Sequence, residues 1–138
     1  MTIEASLSSL VRHRARHGCE YCRLPEAESD LPFTIDHVIA RQHGGLTIEA
    51  NLALACPSCN LHKGPNIAGL DPQSGSLTPI FHPRRDRWTD HFRWDGVVIA
   101  PVSAIGRTTL VVLAMNDARQ IAVRRAMLAS GWLLRSDL

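Results

Sequence analysis

The sequence contains no apolar run long enough to cross a lipid bilayer, and residues Met1 to Ala5 lack the charged-then-apolar layout of a secretory signal. It also lacks internal repeats and low-complexity segments. A chain of 138 residues with 45% hydrophobic residues is long enough for one compact domain with its own core. These features predict a globular cytoplasmic protein without a membrane partner.

A strong excess of charge of one sign is also absent, because the formal net charge is only +2. This value falls short of a strongly basic nucleic-acid-binding domain. The arginines are nevertheless grouped, and each group is able to bind phosphate. A solvated charged surface accounts for either group equally well on its own. The early group is Arg12, Arg14, Arg16 and Arg23, and the later one is Arg84, Arg85, Arg87 and Arg93.

Cysteines number only four, and their spacing is informative. Cys19 and Cys22 form one C-x-x-C pair, and Cys56 and Cys59 form a second. Disulfides are rare in the cytosol, whereas two such pairs supply the four thiolates of a tetrahedral structural Zn²⁺ site. Buried or redox-active cysteines are the alternative, which two correctly spaced pairs disfavour. A closed site of this kind stabilises the fold and leaves no open position for a substrate.

The region between and around the cysteine pairs is predicted to be ordered as helix, strand, loop, strand and helix. Apolar periodicity and breaking residues set these elements. A helix is predicted from about Glu4 to His17, ended by Gly18. The later elements are a strand over 33–39, a short strand over 52–55 and a helix over 57–63 that stops at Gly64.

The last part of the chain is predicted to be a loop followed by mainly helical structure. Residues 66–79 are rich in Gly, Pro, Ser and Asn and are interpreted as loop. A strand over 97–100 follows the Asp95-Gly96 turn, and helices are predicted around 107–115 and 117–130. Asn116 is the expected cap of the last helix, and Gly131 its end.

The stretch DHVIARQHGGLTIEANLALACPSCNLHKG, from Asp36 to Gly64, resembles the motif of the HNH (ββα-metal) endonuclease family. With the flanking cysteine pairs it resembles the zinc-stapled branch of that family. The resemblance implies an α+β fold: a ββα-metal core with a four-cysteine zinc knuckle, an N-terminal helix and a helical C-terminal extension. The expected boundaries are 1–18, 19–66 and 67–138, with the extension packed on the core in a single domain.

The resemblance also implies which residues carry the chemistry. His37 is the expected general base, and Asp36 and Asn60 are the expected ligands of a catalytic divalent ion. Oxygen ligands of this kind favour Mg²⁺ or Mn²⁺. Neighbouring strand residues point to opposite faces, so the strand must bend for Asp36 and His37 to converge. The family name implies His at the third position, where this chain has Asn60; His62 is the second candidate ligand.

Two further residues are expected to support this site, and others to hold the substrate. Asn51 would brace the loop between the strands and so position His37. Lys63 shares a helix face with Asn60 and would contact the phosphate or the leaving group as a point charge. Four arginines are the candidate nucleic-acid-binding residues: Arg41, Arg84, Arg85 and Arg87. The aromatic residues of the segment 81–94 either stack on bases or pack on the core, and packing is favoured.

Together these observations predict a metal-dependent endonuclease acting on DNA, with RNA not excluded, as a monomer or homodimer. Two alternatives stay open: a zinc ribbon that binds nucleic acid without cutting it, and a zinc-stapled protein-interaction domain. The set Asp36, His37 and Asn60 favours the enzyme, since a binding ribbon has no need of it. An interaction domain would show no salt-sensitive affinity for DNA.

Overall fold

The structure is a computed structural model that describes residues 3–135, so the ends of the predicted segments 1–18 and 67–138 lie outside the described residues. The fold is α+β, as predicted. Its helices are α1 (Ala5–Arg14), α2 (Pro57–Lys63), α3 (Ala104–Val112) and α4 (Ala118–Ala129). Its strands are β1 (Thr34–His37), β2 (Leu52–Ala55), β3 (Ala68–Leu70), β4 (Leu77–Pro79), β5 (Phe92–Asp95) and β6 (Val98–Pro101).

The predicted strand, loop, strand and helix between the cysteine pairs are present as β1, β2 and α2. β1 and β2 are antiparallel, and their register places His37 opposite Leu52. All four residues of β2 are buried, so this strand is covered on both faces. Pro57 occupies the first turn of α2, where its missing N–H is not needed. The helix ends before Gly64, whose φ of 49° suits glycine.

α1 ends earlier than the sequence predicts. Its last residue is Arg14, and Arg16 and His17 adopt positive φ angles of 52° and 55°. The chain therefore leaves the helix before Gly18, and the prediction that Gly18 ends it is wrong. Gly18 instead forms an isolated β-bridge with Pro25. This bridge sets the chain on its path around the first cysteine pair.

The segment 66–79, predicted as a loop, contains the antiparallel hairpin β3–β4. These strands have three residues each, and the hairpin packs on α3. Gly69 makes that contact, since a Cβ there would lie 2.7 Å from Val112 Cγ2. Tertiary packing rather than local propensity therefore forms this hairpin. The extension thus carries two hairpins, β3–β4 and β5–β6, in addition to its helices.

The predicted cap of α4 is also wrong by one residue. Asp117 is the N-cap, because its Oδ1 accepts a hydrogen bond from Gln120 N at 2.9 Å. Asn116 instead binds both backbone groups of Ile99, which ties α4 to β6. Gly131, with φ of 94°, follows the helix end as predicted.

One hydrophobic core joins α1, the β1–β2 hairpin and part of the extension. It includes Val11 of α1, Leu54 of β2, and Phe81 and Leu113 of the extension. In the segment 81–94, Phe81, Trp88 and Phe92 are buried, which confirms packing as their role. Within residues 3–135, no helix is long and apolar enough to span a membrane.

Candidate active site

The four cysteines form one cluster beside the β1–β2 hairpin. Their Sγ atoms all lie within 4.8 Å of one another, and all four residues are buried. Tetrahedral zinc, with Zn–S bonds of about 2.3 Å, separates its sulfurs by roughly 3.8 Å. The Cys22 and Cys56 sulfurs are 3.6 Å apart, which fits this geometry. The cysteines are therefore arranged to bind a metal, and the donor set matches structural zinc.

Tyr21 connects the cysteine cluster to Asp36, because it lies between Cys19 and Cys22 in the chain and contacts the Asp36 side chain. The buried Tyr21 hydroxyl donates to Asp36 Oδ2 at 2.8 Å, and Lys63 Nζ lies 3.2 Å from the same oxygen. Burial raises the pKa of Asp36, and the charge of Lys63 opposes this effect. The carboxylate is thus held in one orientation by Tyr21, from the segment with the first cysteine pair, and by Lys63 of α2.

Lys63 of α2 contacts both residues at the end of β1. Its side chain is fully buried, and Nζ donates to His37 O at 3.2 Å as well as contacting Asp36. Both of these partners are internal, so the contact with the phosphate or the leaving group that the sequence suggested stays a prediction. Lys63 is the counter-charge of Asp36 and fixes the end of β1 to α2.

His37 is half-buried at the end of β1, and its Nε2 lies 2.9 Å from Thr47 Oγ1. When Nε2–H donates to this hydroxyl, Nδ1 keeps its lone pair and is the proton acceptor. Burial lowers the pKa of His37, and the positive charges of Arg41 and Lys63 act in the same direction, against Asp36. The neutral imidazole required of a general base is therefore favoured.

Asp36, His37, Arg41 and Asn60 line one open cleft of about 340 Å³ between β1, the loop after it and α2. We call it the β1–α2 cleft. Asp36 and His37 thus border the same space although they are adjacent on a strand. Within residues 3–135, the Asn60 side-chain amide makes no hydrogen bond and remains available to a ligand. A carboxylate and an amide oxygen at one cleft suit a hard cation such as Mg²⁺ or Mn²⁺.

Asn51 connects the two ends of the loop 38–51. Its Oδ1 accepts from Ile39 N at 2.9 Å, and its Nδ2 donates to the carbonyls of Ile39 and Leu46 at 3.0 and 2.9 Å. Both hydrogen-bonding groups of the amide are used, as a buried polar side chain requires. Since Thr47 belongs to this loop, Asn51 also fixes the hydrogen-bond partner of His37.

Gly45 is required in this loop by a close approach of two backbones. A Cβ at this position would lie 1.7 Å from Ile39 O and 2.8 Å from Asn51 Nδ2. We expect Gly45→Ala to force the loop apart and to lower the free energy of unfolding by about 1–3 kcal/mol. Gly44→Ala is the control, because a Cβ there meets no atom within 4 Å and adds only backbone strain at φ of 90°. Urea unfolding that ranks Gly44→Ala as the more damaging change would contradict this account.

The predicted nucleic-acid-binding arginines differ in their surroundings. Arg41, Arg85 and Arg87 are exposed, and Arg41 borders the β1–α2 cleft. Arg84 is only 15% exposed and forms an ion pair with the buried Glu20. Arg84 is therefore held in a structural contact, and its role in nucleic-acid binding stays a prediction.

His62, the second candidate for the catalytic metal, lies on another side of α2. Its Nδ1 is 2.8 Å from Ser58 O, one helical turn earlier. The residue borders a separate groove between α2, α4 and the loop 28–31 rather than the β1–α2 cleft. His62 is therefore not placed beside Asp36.

Two residues of this site were not singled out in the sequence: Tyr21 and Thr47. Tyr21 carried a usable signal, since it is a large aromatic inside a C-x-x-C turn and has to be accommodated next to the metal. Thr47 carried none, because its contact with His37 depends on how the loop folds back.

Residues 19–66 match the family model described as HNH endonuclease. The match begins at the first cysteine, contains the β1–α2 cleft and ends before β3. It confirms the resemblance over this segment. No curated protein and no solved structure matches the chain.

Proposed function

We propose that this chain is a metal-dependent endonuclease that hydrolyses phosphodiester bonds in nucleic acid. The HNH endonuclease match over residues 19–66 supports this proposal, and DNA is the first substrate to test. One observation carries this proposal: Asp36, His37 and Asn60 border the same open cleft. A module that only binds nucleic acid has no use for a general base beside two oxygen ligands.

In this proposal His37 accepts the proton of the attacking water at Nδ1. The Thr47 hydroxyl holds the opposite ring nitrogen, Nε2, and this contact sets the direction of the ring. In the tautomer that the proposal uses, Nε2–H donates to the hydroxyl and Nδ1 is the free acceptor. A base fixed in this way contributes about 10²–10⁴-fold to a rate. The proton moves from the water to His37 as the water oxygen bonds to phosphorus. The bond from phosphorus to the leaving oxygen breaks on the opposite side, and that oxygen takes a proton from solvent.

Asp36 and Asn60 are the residues that would hold the divalent ion. When bound, such an ion stabilises the negative charge that develops on the phosphate and on the leaving oxygen. The protein's own contribution is to orient the ligands. Tyr21 and Lys63 fix the Asp36 carboxylate, and the helix α2 fixes Asn60.

Arg41 is the residue best placed to attract the phosphate backbone. It is exposed and borders the cleft, so its guanidinium adds positive charge next to the reacting phosphate. Arg85 and Arg87 are exposed cations that would extend this attraction. Because such contacts involve phosphate rather than bases, they provide affinity without sequence specificity.

Tyr21 is proposed as a positioning residue for Asp36. Tyr21→Phe keeps the ring but removes a hydrogen bond to a buried carboxylate, and we expect it to lower the free energy of unfolding by about 1.5–3 kcal/mol. It should also raise the Mn²⁺ concentration needed for half-maximal cleavage. In the Asp36→Asn background the stability cost of Tyr21→Phe should become much smaller, because the charged acceptor is gone. If Tyr21→Phe lowers the free energy of unfolding equally in the wild-type and Asp36→Asn backgrounds, the proposed hydrogen bond between Tyr21 and Asp36 is not what stabilises the protein.

The function is tested by incubating the purified, zinc-loaded full chain with supercoiled plasmid and, separately, with single-stranded RNA. We expect relaxation or linearisation of the plasmid with Mg²⁺ or Mn²⁺ and none with EDTA concentrations that leave the structural zinc bound. Cleavage of RNA alone would keep the mechanism and change the substrate. Equal cleavage with and without a divalent ion would overturn the proposed metal dependence.

A further inference from the structure

Two residues of α4, outside the segment that matches the family, are buried on one face of that helix, and the first of them contacts the cysteine cluster. The first is Gln120, which is buried, with its Nε2 3.9 Å from Cys56 Sγ. This distance is within the range of a hydrogen bond to sulfur. Its backbone N–H is bound by the Asp117 side chain, so the residue is fixed in the first turn of α4. The side chain is therefore held with its amide towards the sulfur.

The second residue is Arg124, one helical turn after Gln120 and on the same face of α4. It is 3% exposed. Its Nη1 donates to Val97 O and Asn116 Oδ1 at 3.0 Å each, and its guanidinium lies 5.4 Å from the centre of the Trp94 ring. A further donor contacts Met115 O. All of these partners are electrically neutral.

Arg124 forms no ion pair with a carboxylate among residues 3–135. A buried cation without a counter-charge is costly. The cysteine cluster provides one, because four thiolates around a single Zn²⁺ leave two negative charges in excess. Burial lowers the pKa of Arg124, and the charges of Cys22, Cys59, Cys56 and Asp117 oppose this effect.

We propose that Gln120 and Arg124 form the outer shell of the zinc centre, with Gln120 donating to the Cys56 thiolate and Arg124 balancing the charge of the tetrathiolate site. Groups that surround metal ligands in this way orient them and tune the metal. It follows that zinc retention and docking of α4 are coupled. The C-terminal extension is then part of the zinc centre rather than an independent addition to residues 19–66.

The proposal is tested on the full-length, zinc-loaded protein by following zinc release to a chelating indicator dye. Gln120→Leu keeps the size of the side chain, and Arg124→Met keeps its apolar stem. Loss of an outer-shell partner lowers metal affinity by about 10–100-fold, and we expect zinc dissociation constants to rise by this factor in both variants. Arg125→Met is the matched control, because Arg125 is an exposed neighbour on the same helix.

Cobalt substitution separates an effect on the metal from a general loss of stability. In the Co²⁺-loaded protein, Gln120→Leu is expected to shift the thiolate-to-cobalt charge-transfer band, because the hydrogen bond to sulfur is lost. Arg124→Lys, which keeps the charge, should retain zinc better than Arg124→Met. Gln120→Leu and Arg124→Met variants that bind zinc as tightly as Arg125→Met, with an unchanged cobalt spectrum, would overturn the proposal.

Discussion

Replacing His37 by alanine is expected to lower the rate of phosphodiester cleavage by about 10²–10⁴-fold. The imidazole is the proton acceptor at the β1–α2 cleft, and none of the other groups bordering that cleft replaces it. Asp36 is engaged by Tyr21 and Lys63, Asn60 has no titratable group, and the guanidinium of Arg41 has no acceptor atom. The rate is best measured under single-turnover conditions, so that product release does not hide the chemical step.

The same substitution should leave the fold intact. His37 is half-buried and has one side-chain hydrogen bond, to Thr47, so its loss removes little core packing. His43→Ala is the matched control, since His43 is an exposed histidine of the same loop and does not border the cleft. If His37→Ala and His43→Ala slow cleavage equally, His37 is not the base.

Removing the second cysteine pair, by Cys56→Ser with Cys59→Ser, is expected to leave the chain largely unfolded at 25 °C. Structural zinc contributes about 10–16 kcal/mol in zinc-finger peptides, whereas a whole domain of ordinary stability has only about 5–15 kcal/mol. The pair also begins α2, because Cys56 is its N-cap and accepts from Cys59 N. The positions of Asn60 and Lys63 depend on that helix, because both residues belong to it.

This second prediction is measured by zinc content and by circular dichroism before and after chelation of the wild-type protein. Ser58→Ala is the control, because Ser58 lies between the two cysteines without belonging to the cluster. We expect the double serine variant and the chelated wild type to lose helical signal alike, and Ser58→Ala to retain it. A chelated protein that keeps its unfolding midpoint would show that the core alone supports the fold.

The sequence predicted the elements around the cysteines because their signals are local. Pro57 and Gly64 bound α2, and the apolar run before His37 specifies β1. The metal cluster was equally accessible, since two C-x-x-C pairs in one chain are typical of a four-thiolate zinc site. The short hairpin β3–β4 was missed because its stability comes from packing on α3, which no local pattern of glycine and serine reveals.

Depth of burial was the other quantity that sequence patterns did not provide. Helical spacing placed Lys63 on the face of α2 that also bears Asn60, but not in the interior against Asp36. The run of arginines likewise did not reveal that Arg85 is exposed whereas Arg84 forms an ion pair. In both cases the deciding partner is far away in the chain: Asp36 for the lysine and Glu20 for the arginine.

The most direct test of the central claim measures DNA binding and DNA cleavage on the same zinc-loaded preparations of wild type and His37→Ala. Affinity is followed by fluorescence anisotropy in Ca²⁺, which binds oxygen ligands and is chosen as an ion that does not support cleavage. Cleavage is followed after exchange to Mg²⁺ or Mn²⁺. The account predicts equal, salt-sensitive affinity in both proteins and cleavage by wild type only. Tight binding by both folded proteins with no cleavage by either would contradict it and would identify the chain as a binding module.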